Sequence, residues 1–203
     1  MDNAATVPNR RSIFWICVLA LFAAALSFSI RTGVSGAIKE GLLDPSVPLH
    51  SGEMIAAALG NSFLGFAISL IVISPLLDIL GAKRVILFAS LCYIIGPALI
   101  IMAPNGGDID SLYAILTAGM IVCGLAWGAT EASINPVTTT LYPDDKTGKL
   151  NILHAWWPAG IVVGGLLSLV FGQLGLNWQV AVAMIAVPGI LCGIWTLTQS
   201  FPA

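Results

Sequence analysis

The chain has 203 residues, of which 58% are hydrophobic and only 9% are charged, where an ordinary soluble domain carries about 25% charged residues. A mean hydropathy of +0.96 excludes a water-solvated globule as the whole molecule, and a formal net charge of −2 leaves no basic surface for nucleic acid. Because the apolar residues fall in blocks long enough to cross about 30 Å of hydrocarbon, length counts membrane spans here rather than soluble domains.

The first block, Ile13 to Ile30, follows Arg10 and Arg11. It is longer than a secretory h-region and no small-x-small cleavage site follows it, so it reads as an uncleaved first helix. Arg31 ends the run beside Ser27, Ser29 and Ser35. Two readings stay open for it: a cation snorkelling at the outer interface, or, if the helix continues to Ile38, a cavity-lining group that attracts an anionic or polyhydroxylated solute. Further blocks run from Met54 to Leu77, Val85 to Ala103, Leu112 to about Thr139, Ile152 to about Leu174 and Val180 to about Leu197. They predict an all-α membrane protein, a single bundle over residues 1–203 with helices near 12–37, 52–77, 84–103, 111–139, 151–174 and 178–198. Each helix rises 1.5 Å per residue.

Basic residues sort the loops. Arg10 and Arg11, Lys83 and Arg84, and Lys146 with Lys149 all fall on one side if six helices alternate. Lys and Arg of short loops stay cytoplasmic, which places both termini in the cytoplasm and the chain in a cell (inner) membrane. Glu40, Asp44, Glu53, Asp108 and Asp110 occupy the opposite loops.

In the fourth span Trp127, Glu131, Asn135 and Thr138 share one helical face by their spacing. An ionisable group at membrane depth is costly and marks function by default. A carboxyl held away from water there can take up and release a proton, and Pro136 bends the helix or frees a carbonyl beside the stripe. The bland alternative is a protonated Glu131 that bonds a neighbouring helix for packing. The fifth span opens with Asn151, His154, Trp156, Trp157 and Pro158. His154 suits proton relay or a sugar hydroxyl; Trp156 suits the membrane interface, and Trp157 is left between the interface and stacking on a sugar ring. Counted from the ends of their helices, Arg31 stands roughly 28 Å and Glu131 roughly 16 Å from the basic side, which disfavours a direct ion pair, while a shift of a few residues in the helix boundaries leaves one open.

The cysteines Cys17, Cys92, Cys123 and Cys192 lie in apolar blocks without metal-ligand spacing and read as small packing residues. Glycines inside the spans, among them Gly119, Gly124, Gly128, Gly160, Gly164 and Gly165, suit close helix contact. The Gly33 to Gly36 run (GVSG) matches the GxSG of six-helix intramembrane serine proteases, with no histidine placed to activate Ser35. No enzyme activity, metal or cofactor is expected.

Asp78 to Arg84 (DILGAKR) resembles the loop signature of the major facilitator superfamily, with Ser74 and Ile79 departing from the usual glycine and basic residue. The resemblance implies a conformational role for Asp78, Gly81, Lys83 and Arg84 in the inward-closed arrangement. Glu131 to Pro136 (EASINP) with Leu150 to Gly160 (LNILHAWWPAG) is similar to the fucose:proton symporter branch of that superfamily. This implies that Glu131 is the proton-coupling or substrate-linked acid and that His154 and Trp157 contact substrate. The acidic residue that this branch carries in its first helix has no counterpart near Arg31.

The family implies two inverted three-helix repeats, half of a twelve-helix fold. The function expected is alternating-access transport of a small polar, sugar-like solute with proton-gradient coupling and no other cofactor. Glu131, Asn135, His154, Arg31, Asn151 and Trp157 form the candidate set, and the lipid bilayer, the solute and a second six-helix half are the partners. That half would be another copy or a separate chain. The alternatives are a truncated or partner-dependent half-transporter without autonomous transport, an interaction protein on the same fold, and the serine protease.

Overall fold

The computed structural model describes residues 9–104 and 108–201; the chain termini and residues 105–107 lie outside that description. Six helices are long and apolar enough to cross a membrane: α1 (Arg10–Gly33), α2 (Ser51–Leu80), α3 (Ala82–Met102), α4 (Ile109–Leu141), α5 (Lys146–Gln173) and α6 (Trp178–Leu197). No strand occurs among the described residues.

Several boundaries differ from the sequence expectation for local reasons. A short helix, Ser35–Ile38, and a π-turn, Lys39–Leu43, follow α1. Lys39 then grips both carboxylate oxygens of Asp44 at 2.9 and 2.8 Å. The α2–α3 loop shrinks to one residue because Gly81 adopts φ +78, a conformation an L side chain resists. Its amide still donates to the Leu77 carbonyl at 2.8 Å. α5 begins at Lys146, earlier than the apolar block, and its regular ladder is interrupted at Ala155. Pro158 has no N–H to offer the His154 carbonyl, which accounts for that break. Pro188 has the same effect on Met184 in α6, where the Val187 amide closes a tighter turn on the Met184 carbonyl at 3.2 Å.

The helices exchange partners between the two halves of the chain. α1 packs along α5, α2 along α4, and α3 against both α4 and α6. The first helix of each three-helix set thus lies on the second helix of the other, as two inverted repeats require. α1 is the axis: 72% of its most apolar stretch is buried, against 17% in α2 and 11% in α5.

Lipid tails are as apolar as leucine, so close packing has to replace the hydrophobic effect between helices. Along α2–α4, a Cβ on Gly65 would strike the Ile121 carbonyl, one on Gly124 the Ser62 carbonyl and one on Gly128 the Phe66 carbonyl. Along α1–α5, one on Gly160 would come within 2.6 Å of the Ala25 Cβ and one on Gly164 within 2.8 Å of the Ser29 Cβ. Each seam also has an interhelical hydrogen bond: Ser69 Oγ donates to the Leu125 carbonyl at 2.9 Å and Ser29 Oγ to the Ile161 carbonyl at 2.7 Å.

Candidate functional site

One helical turn and one contact between helices bring together the polar groups of α4 and α5. Glu131 and Asn135 are one turn apart, so they stack on one face of α4. Asn135 Nδ2 donates to Glu131 Oε2 at 3.3 Å and to the Glu131 carbonyl at the same distance. From α5, His154 Nε2 lies 3.0 Å from Asn135 Oδ1. An amide oxygen only accepts, so this contact fixes the tautomer with a proton on Nε2. A continuous line of donors and acceptors then runs from His154 through Asn135 to the Glu131 carboxyl. Glu131 and Asn135 are half-buried and His154 is exposed, which gives the line one end open to solvent or solute.

An aromatic wall adjoins this line. Trp127, one turn before Glu131, stacks on Trp157 of α5 with centroids 5.2 Å apart and planes at 28°. Phe66 of α2 lies 4.4 Å from the Trp127 ring, while Phe63 and Phe28 stand at 5.7 and 6.0 Å. Four helices contribute, and Trp127 is sandwiched between Phe66 and Trp157. Offset or tilted aromatic contacts of this kind add to the area they bury. Trp157 is therefore part of the wall, and one of its faces is already taken by Trp127. The Trp127 indole N–H is buried without an acceptor among the described residues.

Other candidates lie elsewhere. Thr138 is fully buried beside Cys17 of α1, so the polar stripe ends at Asn135 where α1 covers α4. Asn151 is exposed one turn before His154, with no side-chain hydrogen bond among the described residues. Trp156 meets Trp15 of α1 edge-on at 5.8 Å. Since α5 starts at Lys146, His154 is more than two turns into the helix rather than one.

Arg31 fits neither of the two readings taken from sequence. It is only 2% exposed, neither snorkelling nor lining a cavity. Its Nε donates to the Ser27 carbonyl at 3.2 Å and its Nη1 approaches Met120 Sδ at 3.6 Å. Helix α1 ends near it, but α4 folds over the guanidinium and removes it from water. Met120 is about 16 Å along α4 from Glu131, so Arg31 and the Glu131 line are separate.

At the basic end, Lys83 donates to the Leu197 carbonyl at 3.1 Å and to the Gln199 carbonyl at 2.7 Å. It therefore closes the carboxyl end of α6, where a cation suits the helix dipole. Asp78 and Arg84 are exposed, and Asp78 has no ion-pair partner among the described residues. With Lys83 they border a recess of about 370 Å³ that also touches Pro136 and Thr140. Ser35 Oγ is occupied by the Thr32 carbonyl at 2.8 Å, and His50 faces Glu53 at 3.8 Å.

The Phe28, Phe63 and Phe66 side of the wall has a weak signal in the sequence. Phe63 and Phe66 are three residues apart, as neighbours on a helix are, but nothing in that spacing names Trp127 as their partner.

The sequence profile of the Major Facilitator Superfamily matches residues 17–203. The glucose transporter GlcP of Staphylococcus epidermidis is 24% identical over 172 residues, covering 82% of this chain and 36% of that protein. The D-xylose transporter of Levilactobacillus brevis is 27% identical over 82% of this chain and 35% of its own length. In fold, the chain superposes on the inward-open xylose transporter XylE from E. coli with a TM-score of 0.72 at 14% identity, over 95% of this chain and 48% of that one. The chain thus spans about a third of the curated relatives' length and about half of XylE. With a match over nearly its whole length, this six-helix chain belongs to the major facilitator superfamily.

Proposed function

We propose that the chain forms one half of a secondary transport pathway for a small polar, sugar-like solute, working by alternating access and coupled to a proton gradient through Glu131. Members of this family are transporters, not enzymes, so the serine-protease reading falls away. The observation that carries the proposal is the Glu131–Asn135–His154 line set beside the Trp127–Trp157 wall: a carboxyl with a hydrogen-bonded path to an exposed imidazole, next to flat apolar surface. Sugars present both hydroxyls and apolar ring faces, and such a site offers a partner to each. The named relatives carry glucose and xylose, which supports that solute class.

Coupling through Glu131 follows the helix-four and helix-five runs that resemble the fucose:proton symporter branch. No bound cofactor takes part. A half of this kind encloses no central pathway alone, so a second six-helix half completes it, with both termini on the cytoplasmic side. The test is uptake of radiolabelled glucose, xylose and fucose in proteoliposomes with and without an inward proton gradient. Gradient-driven accumulation should be lost in Glu131→Gln while gradient-free exchange persists. Equal accumulation by the variant would remove Glu131 from coupling.

A further inference from the structure

On the side of the bundle away from Glu131, α1, α5 and α6 leave a groove of about 310 Å³ with no polar lining, bounded by Trp15, Val18, Leu19, Phe22, Trp156 and Trp195. The four α1 residues share one face by their three- and four-residue spacing and extend the groove about 10 Å along the helix. Arg11, one turn before Trp15, continues that same face beyond the groove at the basic end. It is exposed and has no hydrogen-bond, ion-pair or aromatic partner among the described residues. Its neighbours are engaged elsewhere. Arg10 lies over the Tyr142 ring at 5.2 Å, Lys149 approaches the same ring at 4.9 Å, and Ser12 Oγ accepts from Trp195 Nε1 at 2.9 Å. That last bond holds the groove's end wall beside Arg11.

We infer that this groove holds one acyl chain of an anionic phospholipid whose phosphate sits on Arg11. The shape argues for a lipid chain over a protein segment. A helix about 10 Å across fills roughly 800 Å³ over the same length, more than the groove contains, whereas a single acyl chain fits. The charge argues for an anionic headgroup. A zwitterionic lipid offsets its phosphate with its own cation, but an anionic one leaves the phosphate to be met by a basic side chain next to the apolar slot. No acid lines the groove to oppose it. The three tryptophans are residue types that settle where hydrocarbon meets headgroup.

The groove's own tryptophans supply the readout. The intact chain is reconstituted in phosphatidylcholine containing an equal mole fraction of either brominated-acyl phosphatidylglycerol or brominated-acyl phosphatidylcholine, and tryptophan fluorescence is measured. Phosphatidylglycerol should quench in excess of phosphatidylcholine. The preference should fall about fivefold in Arg11→Gln, the effect of one basic residue near a charged lipid surface, and survive in Arg11→Lys and Arg10→Gln. Equal quenching by the two lipids, a preference unchanged in Arg11→Gln, or no quenching by either, as when protein covers the groove, would each overturn the site.

Discussion

Arg31 shows what a single residue's position along a helix does and does not reveal. Its depth could be read from the length of the first apolar run, because each residue adds 1.5 Å. Its direction around the helix could not, because that depends on α4 lying across it with Met120 at 3.6 Å. A cation buried without an ion-pair partner among the described residues is expensive, and replacing such a group by an apolar side chain of similar volume is often neutral or stabilising. Arg31→Met should therefore keep or raise the thermal midpoint in detergent and leave solute uptake intact. A collapse of uptake with the fold preserved would put Arg31 back in the pathway. Glu131 and Asn135 were legible together because their spacing of four belongs to one helix. Their link to His154 was not, since a contact between residues nineteen apart in sequence depends on how α4 and α5 meet.

Among the elements, the six spans were the most legible feature, since apolar length reports them directly. The interruptions within α5 and α6 follow from Pro158 and Pro188, and the one-residue α2–α3 turn from Gly81. What the sequence left open was which helices would lie together. The glycines decide that, but only once their partners are known: Gly124 faces the Ser62 carbonyl and the Phe66 amide, both backbone groups that cannot swing aside. Gly124→Ala should cost about 1–3 kcal/mol, the usual penalty of overpacking, and lower the melting temperature in detergent. Gly60→Ala on the same α2 meets nothing within 4 Å and should be neutral or gain up to about 1 kcal/mol. Equal effects at the two positions would mean that backbone contact along α2–α4 does not set stability.

For the whole molecule, exposure is concentrated on α2 and α5, which bury least of themselves and present Ile71, Val72, Leu166 and Leu169 outward. If a second half completes the pathway, these are the faces it should cover. The native cysteines are all buried, so an introduced cysteine is the reactive one. Leu166→Cys in membranes should form a disulfide-linked species of about twice 21.2 kDa if the second half is another copy, while Leu91→Cys on α3 should remain monomeric. Monomer alone at both positions, with no heavier adduct to another chain, would sink the partner proposal. The two glycine seams carry a mechanical consequence as well. Where backbone rests on backbone there are no side-chain rotamers to yield, so α1 with α5 and α2 with α4 behave as stiff beams. A beam that tips about its midpoint must narrow one mouth as it widens the other, whereas a compliant one would let both stand ajar and leak. Under the transport reading, stiffness along these seams is what makes leak-free exchange possible, and the residue that provides it is the one with no side chain.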